Sequence, residues 1–329
     1  MRKVKTRKSV KKEDYEDLIY YKLKSSRFKQ QRLPAWRPVP TFFSIIIFYI
    51  LFAIIFIAIG ILLLAYSGKI VSIEYEYHKE CEGLVDCEIS FKIEKDMERP
   101  ILIYYKLDGF FQNLRRYVKS KSLTQLTGES TTLSDMESSG DCGPIYTNED
   151  LRIEKDQKAA DNETLLVPKE VAIPCGLIAK TYFNDTYKEW KVNDESFTIN
   201  EKDIAWEKDK DIFKNYKKSK QWIDMQDEHF IVWMRTEGLP NFKKLWGRIE
   251  DRDLKKGDEI SLKIENNYKV SHYEGGKSLI LTTANKFGGK NNFMGVCFIV
   301  IGAISLLLGS AFPFLILQRN KHENNNKND

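Results

Sequence analysis

Histidine and cysteine are scarce in this chain, and their placement argues against a metal or catalytic centre. Only four histidines occur in 329 residues, namely His78, His229, His272 and His322, and none has a nucleophile–base constellation nearby. The chain also lacks a Walker phosphate loop, a Rossmann glycine pattern and a zinc-hydrolase motif. We therefore expect no enzyme active site, no metal and no cofactor, although the abundant Asp and Glu leave a catalytic carboxylate pair open.

Charge is absent from two long stretches of the sequence. Residues 41–66 and 293–317 contain no charged side chain, and no third stretch of this length does. About 20 helical residues suffice to cross the hydrocarbon core of a bilayer, and a buried helix of a soluble domain would show a polar stripe. We therefore predict two transmembrane helices. The second is rich in Gly, Ala and Ser, which fits either a packed pair of helices or packing onto a larger membrane protein.

Basic residues are concentrated in the N-terminal tail. Residues 1–40 hold 13 Lys/Arg against 4 Asp/Glu, a net charge of +9. Residues 67–292 hold 36 against 41, a net of −5, and residues 318–329 hold 3 against 2, a net of +1. Because Lys and Arg that flank transmembrane helices stay cytosolic, we expect both tails in the cytosol and the middle segment in the lumen or outside the cell. A nucleic-acid partner is not expected, since it would need a basic folded face.

The cysteines agree with this topology. Cys81, Cys87, Cys142 and Cys175 fall in the middle segment, whereas Cys297 falls in the second helix. An even number of cysteines on an oxidising side of the membrane predicts two disulfides, with three possible connectivities. The short loop from Cys81 to Cys87 favours a disulfide over a metal site, since too few ligands stand at zinc spacing.

Two N-glycosylation acceptors fall in the same middle segment. They are Asn162-Glu-Thr and Asn184-Asp-Thr. Such triplets also arise by chance, so each alone is a weak signal. Together with the charges and the cysteines they predict a glycosylated, disulfide-bonded ectodomain at residues 67–292.

Alternating apolar and polar residues predict that this ectodomain is mostly β. The alternation is clearest at residues 70–77, 89–93 and 101–107. Further strands are predicted where apolar runs are bounded by Gly, Pro or Asn, at residues 230–236, 243–250, 260–264 and 278–284.

Residues 110–122 are predicted to form a helix instead. Its inward residues would be Phe110, Phe111, Leu114 and Val118. Its outer face would be basic, formed by Arg115, Arg116, Lys119 and Lys121. Such a face is either simply solvated or a docking surface for a partner, and the residues alone do not decide between these interpretations.

Five blocks of the sequence resemble the signature blocks of the cell cycle control protein 50 family, whose members are also called ligand-effect modulator proteins. In chain order they are FKQQRLPAW (28–36), FFQNLRRYVKS (110–120), PCGLIAKTYFNDTY (174–187), FIVWMRTEGLPNFKKLWGRI (230–249) and GGKN (288–291). The sequence departs from the family pattern at Leu114 in the second block, at Glu207 after Ile204-Ala205-Trp206, and at Asn292 directly after the last block.

The resemblance implies a non-catalytic β subunit of a type IV P-type ATPase, the phospholipid flippase. It implies a heterodimer with that ATPase, contact with membrane lipid and no small-molecule substrate of its own. The subunit would support folding, exit from the endoplasmic reticulum and activity of the ATPase, which moves lipid to the cytosolic leaflet. The implied location is the endoplasmic reticulum, Golgi or endosomal membranes, or the plasma membrane.

The resemblance also implies a fold and a set of site residues. The fold class is a two-pass α-helical membrane protein with a large, mainly antiparallel, sandwich-like β domain and helical additions. The implied disulfides are Cys81–Cys87 and Cys142–Cys175. The residues expected to contact the ATPase are Gln31, Arg32, Leu33, Pro34, Trp36, Arg115, Arg116 and Lys119.

Two other classes of protein share this topology. One is an ion channel subunit with two helices and a disulfide-rich ectodomain. Neither helix offers a charged or clearly polar stripe for a pore, which argues against a channel. The other is a cell-surface adhesion or receptor protein. Homotrimers would favour a channel, whereas co-purification with an ATPase of about ten helices would favour the flippase subunit.

Overall fold

The computed structural model of the protein describes residues 19–22, 24, 26–31, 41–152, 157–285 and 288–325. From residue 41 on, the elements are α1 (Phe42–Gly68), β1 (Ser72–Glu76), β2 (Asp86–Lys92), β3 (Ile101–Asp108), α2 (Arg115–Lys119), α3 (Leu123–Leu126), α4 (Leu133–Ser139), α5 (Asn148–Leu151), α6 (Leu177–Lys180), β4 (Thr186–Val192), β5 (Glu195–Ser196), α7 (Glu207–Ile212), α8 (Glu228–Met234), β6 (Phe242–Ile249), β7 (Glu259–Glu265), a 3-10 turn (Ser271–Tyr273), β8 (Gly276–Thr283) and α9 (Asn292–Asn325).

The two long helices α1 and α9 carry the two charge-free stretches. Phe42–Gly68 and Asn292–Leu315 are each long and apolar enough to cross a membrane, and most of their side chains are exposed. Exposed apolar side chains over such a length are stable only in lipid or against another membrane protein. The structure thus confirms the two predicted apolar helices.

Residues 41–58 and 299–325 form one compact unit, in which the helices pack closely. A Cβ atom added at Gly302 would lie 2.7 Å from Ile57 Cγ1, and one added at Gly309 would lie 3.2 Å from Tyr49 Cβ. The rings of Tyr49 and Phe312 stack with centroids 6.2 Å apart. These small residues therefore serve the pairing of the chain's own helices, since glycine lets two backbones approach.

Residues 59–298 form the second compact unit, which contains two antiparallel four-stranded sheets. One sheet has the strand order β1-β8-β3-β6 and the other has the order β2-β7-β4-β5. Side chains of both sheets share one apolar core, for example where Tyr75 of β1 stacks on Phe91 of β2 at 5.0 Å. This arrangement is the predicted sandwich-like β domain.

Along several strands, buried side chains alternate with more exposed ones. In β3, Ile101, Ile103, Tyr105 and Leu107 are buried while the residues between them are partly exposed. Successive side chains of a strand point to opposite faces, so this alternation places one face in the core. Strands at 70–77, 89–93, 101–107, 243–250, 260–264 and 278–284 are confirmed within a few residues.

The strand predicted at residues 230–236 is wrong, because this segment is helix α8. Asp227 caps its start by accepting a hydrogen bond from the backbone N–H of His229. The buried side chain of Lys244 caps its end by donating to the carbonyls of Val232 (3.0 Å) and Arg235. A dense apolar run is ambiguous between strand and helix, and these tertiary caps decide for helix.

The helix predicted at residues 110–122 is too long, and of its four predicted inward residues only Phe110 packs against the core. Only Arg115–Lys119 is helical, and Phe111, Leu114 and Val118 point outward with exposures of 53%, 58% and 37%. Tyr117 is buried in their place. The preceding residues are not helical, and Gln112 is fully buried there, accepting a hydrogen bond from the backbone N–H of Glu237 at 2.9 Å.

Candidate partner-docking site

The exposed side of α2 and the residues just before it combine apolar and basic side chains. We call this surface the α2 face, and it consists of Phe111, Leu114, Arg115, Arg116, Val118 and Lys119. Its three cations have no carboxylate within 4.0 Å in the described part of the chain. Clustered exposed apolar side chains mark interaction surfaces, and Arg is enriched at protein interfaces.

Buried polar contacts hold the α2 face in place from beneath. The hydroxyl of Tyr117 lies 2.7 Å from the hydroxyl of Thr181, which follows α6. Burial raises the pKa of Tyr117 well above its ordinary value, so the phenol stays neutral as its position requires. Asn113, next to buried Gln112, donates to the carbonyl of Gly238 at 3.0 Å. The outer side chains are thus presented on a fixed backbone.

Further hydrogen bonds connect the end of α2 to the loop that the disulfide Cys142–Cys175 closes. Ser120 donates to the carbonyl of Cys142 at 2.9 Å and accepts from the N–H of Leu177 at 2.7 Å. Gln125, which is fully buried, accepts from the N–H of Cys175 at 2.9 Å and donates to the carbonyl of Ala172 at 3.1 Å. Two polar side chains therefore join α2 and α3 to the disulfide-bonded loop.

A glycine and a shallow depression lie beside this support. Gly176 has a φ of +98°, and a Cβ atom there would lie 2.1 Å from the carbonyl oxygen of Ser120, so only glycine fits. Arg116 and Lys119 line a depression of about 380 Å³ together with Ser120, Gly140, Gly143, Pro144 and Tyr146. The basic part of the α2 face is therefore concave.

The other predicted contact residues precede the first helix. Gln31 lies in an exposed turn. Arg32, Leu33, Pro34 and Trp36 lie outside the described residues. The structure therefore brings Arg115, Arg116 and Lys119 together and gives no position for most of the N-terminal set.

The cysteines and the glycosylation acceptors have defined places. Cys81 is bonded to Cys87 and Cys142 to Cys175, with Cα atoms 5.4 and 5.5 Å apart, and Cys297 is free. These are the pairs that the family resemblance implies. Asn162 and Asn184 are both exposed.

A buried ion pair that no sequence pattern singles out joins β8 to the residue before β4. Lys277 of β8 bonds to Asp185 Oδ2 at 2.6 Å, and both side chains are almost fully buried. Asp185 also accepts from the hydroxyl of Tyr77 at 2.8 Å and from the N–H of Tyr268 at 2.6 Å. Burial lowers the pKa of Lys277, and the contact with Asp185 opposes that shift.

Asn266 links this ion pair by hydrogen bonds to the disulfide Cys81–Cys87. Lys277 donates to the Oδ1 atom of Asn266. The amide of Asn266 in turn donates to the carbonyls of Cys81 (2.7 Å) and Leu84 (2.9 Å). Because every charged and polar atom in this chain of contacts has a partner, the network fits a structural role rather than catalysis.

An exposed tryptophan forms a second surface that sequence reasoning missed. The guanidinium of Arg235 lies 4.2 Å from the ring centroid of Trp206, and its Nε donates to Asp209 at 2.6 Å. Trp206 is 65% exposed. Exposed Trp and Arg are the residue types that most often dominate binding energy at interfaces. In the sequence, the signal for this surface was the triplet Ile204-Ala205-Trp206.

Neither the surfaces nor the buried network resembles a catalytic centre. Among the described residues, no group of three or more His, Cys, Asp or Glu side chains is arranged to hold a metal ion. The described part of the chain presents two membrane-length helices and a folded β domain with exposed apolar and basic surfaces. This combination places the protein in the class of two-pass membrane proteins with a large folded domain between the two helices.

Comparisons with known proteins agree with this class. A profile of the LEM3 (ligand-effect modulator 3) family / CDC50 family matches residues 69–322. The chain is 36% identical to ALA-interacting subunit 3 of Arabidopsis thaliana, covering 89% of this chain and 86% of the relative. It is 35% identical to cell cycle control protein 50A of Mus musculus (87% and 86%). It is 29% identical to the phospholipid-transporting ATPase accessory subunit CRF1 of Saccharomyces cerevisiae (89% and 84%).

The chain belongs to the LEM3/CDC50 family. It is accordingly a non-catalytic accessory subunit.

Proposed function

We propose that this protein is the accessory subunit of a phospholipid-transporting P-type ATPase of type IV, with which it forms a heterodimer. The observation that carries the proposal is the match of nearly the whole chain to relatives named as ALA-interacting and ATPase accessory subunits. The subunit supports folding, exit from the endoplasmic reticulum and activity of the ATPase, because a partner that binds only the folded ATPase stabilises that state.

The proposed topology places both tails in the cytosol and residues 67–292 in the lumen or outside the cell. The charge partition of the sequence supports it, as do two disulfides in the ectodomain, since disulfides persist on the oxidising side. Asn162 and Asn184 carry glycans on that side. A glycosidase should shift the protein's mobility, and Asn162→Gln with Asn184→Gln should abolish the shift.

The α2 face is the proposed contact of the ectodomain with the ATPase, together with residues Gln31, Arg32, Leu33, Pro34 and Trp36 before the first helix. Its cations lie on a backbone that buried contacts fix, so little conformational entropy is lost when a partner binds. An exposed loop of the ATPase with acidic and apolar residues would complement it.

Charge reversal tests this contact. Arg115→Glu, Arg116→Glu and Lys119→Glu together should reduce co-purification with the ATPase in mild detergent. The matched control is Lys79→Glu, Lys255→Glu and Lys256→Glu, which reverses three exposed cations elsewhere on the ectodomain. Equal losses in both triple variants, or unchanged association in the first, would remove the α2 face from the interface.

A further inference from the structure

The two glycosylation acceptors are both exposed, yet their surroundings differ. An acceptor triplet is used when the transferase can reach the Asn amide and the hydroxyl two residues later. Exposure of the Asn side chain alone therefore does not decide whether the folded protein is a substrate. The middle and third residues of each triplet matter as much.

At Asn184, the next two residues are part of the folded core. Asp185 is fully buried in the ion pair with Lys277. Thr186 is the first residue of β4, pairs with Glu265 of β7, and donates its hydroxyl to Glu265 Oε2 at 2.7 Å. To present this triplet in an extended form, the chain would have to detach the start of β4. The buried Lys277 would then lose the counter-charge of Asp185.

At Asn162, the hydrogen bonds of the triplet to other described residues lie within the turn of residues 159–164, where the carbonyl of Thr164 also accepts from the N–H of Ala159 at 2.7 Å. The hydroxyl of Thr164 donates to Asp161 at 2.6 Å, and Asn162 donates its N–H to the carbonyl of Ala159 at 2.9 Å. Asn162, Glu163 and Thr164 are all exposed. Turns with few buried contacts open at little cost in free energy, whereas core strands open only near the global unfolding free energy.

We propose that Asn184 is glycosylated only before the ectodomain folds, whereas Asn162 remains a substrate after folding. The inference rests on the lumenal placement proposed above. In the transfer, the Asn amide nitrogen bonds to the anomeric carbon of a diphosphate-linked oligosaccharide. The bond from that carbon to the diphosphate oxygen breaks, the lipid diphosphate leaves, and the amide loses one proton. The product fits the fold because the Asn184 side chain itself is exposed.

The proposal makes folding and modification competitors at one site. Once Asp185 meets Lys277 and β4 pairs with β7, an unmodified Asn184 stays unmodified. The pairing of β4 with β7 thus ends the period in which Asn184 can be glycosylated. No such limit applies to the turn at Asn162.

The test uses the full-length protein synthesised in microsomes, as two variants that keep one acceptor each, Asn162→Gln and Asn184→Gln. In one reaction the lipid-linked oligosaccharide is present during synthesis. In the other it is supplied only after the disulfides have formed and the chain resists protease. Asn162 should be modified in both reactions. Asn184 should be modified during synthesis and about tenfold less, or not at all, after folding.

Two further variants locate the cause. Asp185→Asn with Lys277→Met, made in the Asn162→Gln background, should restore part of the late modification at Asn184. Lys263→Met, which removes a lysine from the exposed side of β7, should not. Equal early and late modification of Asn184 in the otherwise unchanged chain would overturn the proposal. Lack of modification at both sites during synthesis would instead refute the lumenal placement on which it rests.

Discussion

The two sheets and the segment between β3 and β4, residues 109–185, are stabilised in different ways. In the sheets, buried apolar side chains alternate along the strands, as with Ile260, Leu262 and Ile264 of β7. In the 109–185 segment the helices are short and buried polar side chains such as Gln112, Ser120 and Gln125 make the connections. A core of apolar side chains tolerates many exchanges of similar volume, whereas a buried hydrogen bond depends on both partners. The α2 face lies in the segment with the more specific connections.

The largest expected effect concerns the buried ion pair between Lys277 of β8 and Asp185, the residue before β4. Lys277→Met leaves the Asp185 carboxylate buried without a counter-charge, which should lower the free energy of unfolding by about 3–5 kcal/mol. Adding Asp185→Asn should recover part of that loss, because no buried charge then remains. Denaturant unfolding of the purified protein, followed by tryptophan fluorescence, measures both. A loss no greater than that of Lys263→Met would contradict the role of the pair.

The two disulfides should differ in their contribution. The chain-entropy relation gives about 3–4 kcal/mol for Cys142–Cys175, which closes a separation of 33 residues, and about 2 kcal/mol for Cys81–Cys87, with a separation of 6. Double Cys→Ser variants of each pair should therefore lose stability in that order. The same unfolding assay measures the losses, and the reverse order would contradict the entropic account.

A smaller and more local effect is expected from Gln125→Leu. The change leaves the N–H of Cys175 and the carbonyl of Ala172 without their partners, at a cost of about 1–3 kcal/mol. Amide hydrogen exchange should become faster around α2, α3 and residues 172–177 while the sheet strands stay protected. Leu123→Ala, on the exposed side of α3, serves as the control. Faster exchange throughout the sheets would mean that segment and sheets open as one unit.

The smallest effect concerns alkaline pH. The hydroxyl of Tyr75 donates to Glu80 Oε2 at 2.6 Å, and this hydrogen bond, then burial and the Glu80 charge, raise the pKa of Tyr75 to about 12. Because the folded-state pKa lies above the ordinary value near 10, the stabilisation is fully present below about pH 10 and is lost as the pH rises through 12. The stability difference between the protein and Tyr75→Phe should shrink over that range. A difference that is constant with pH would exclude this linkage.

The sheets were largely predictable because their information is local. Ile101, Ile103 and Leu107 alternate with partly exposed neighbours, and that alternation alone gives a strand with one buried face. The same reasoning failed at residues 230–236, where the apolar run suits either element. The cap from Lys244, which lies ten residues beyond Met234, became visible only in the folded chain.

The candidate site was predictable in part. The basic residues Arg115, Arg116 and Lys119 stand together in the sequence and lie together in the structure. Phe111, Leu114 and Val118 were predicted to point inward but are exposed. An amphipathic pattern does not reveal that Gln112 and Tyr117 occupy the interior instead. The pairing of Asp185 with Lys277 joins residues 92 positions apart, and no local pattern encodes such a contact.

The most direct test of the central claim, that this chain is a non-catalytic subunit on which an ATPase depends, measures the ATPase. The cognate type IV P-type ATPase is expressed with and without this protein, and its exit from the endoplasmic reticulum and its phosphoenzyme are quantified. With the subunit, the ATPase should leave the endoplasmic reticulum and form phosphoenzyme. Without it, the ATPase should be retained and form little, and the subunit alone should hydrolyse no ATP. Normal exit and phosphorylation without the subunit, or ATP hydrolysis by the purified subunit alone, would contradict the account.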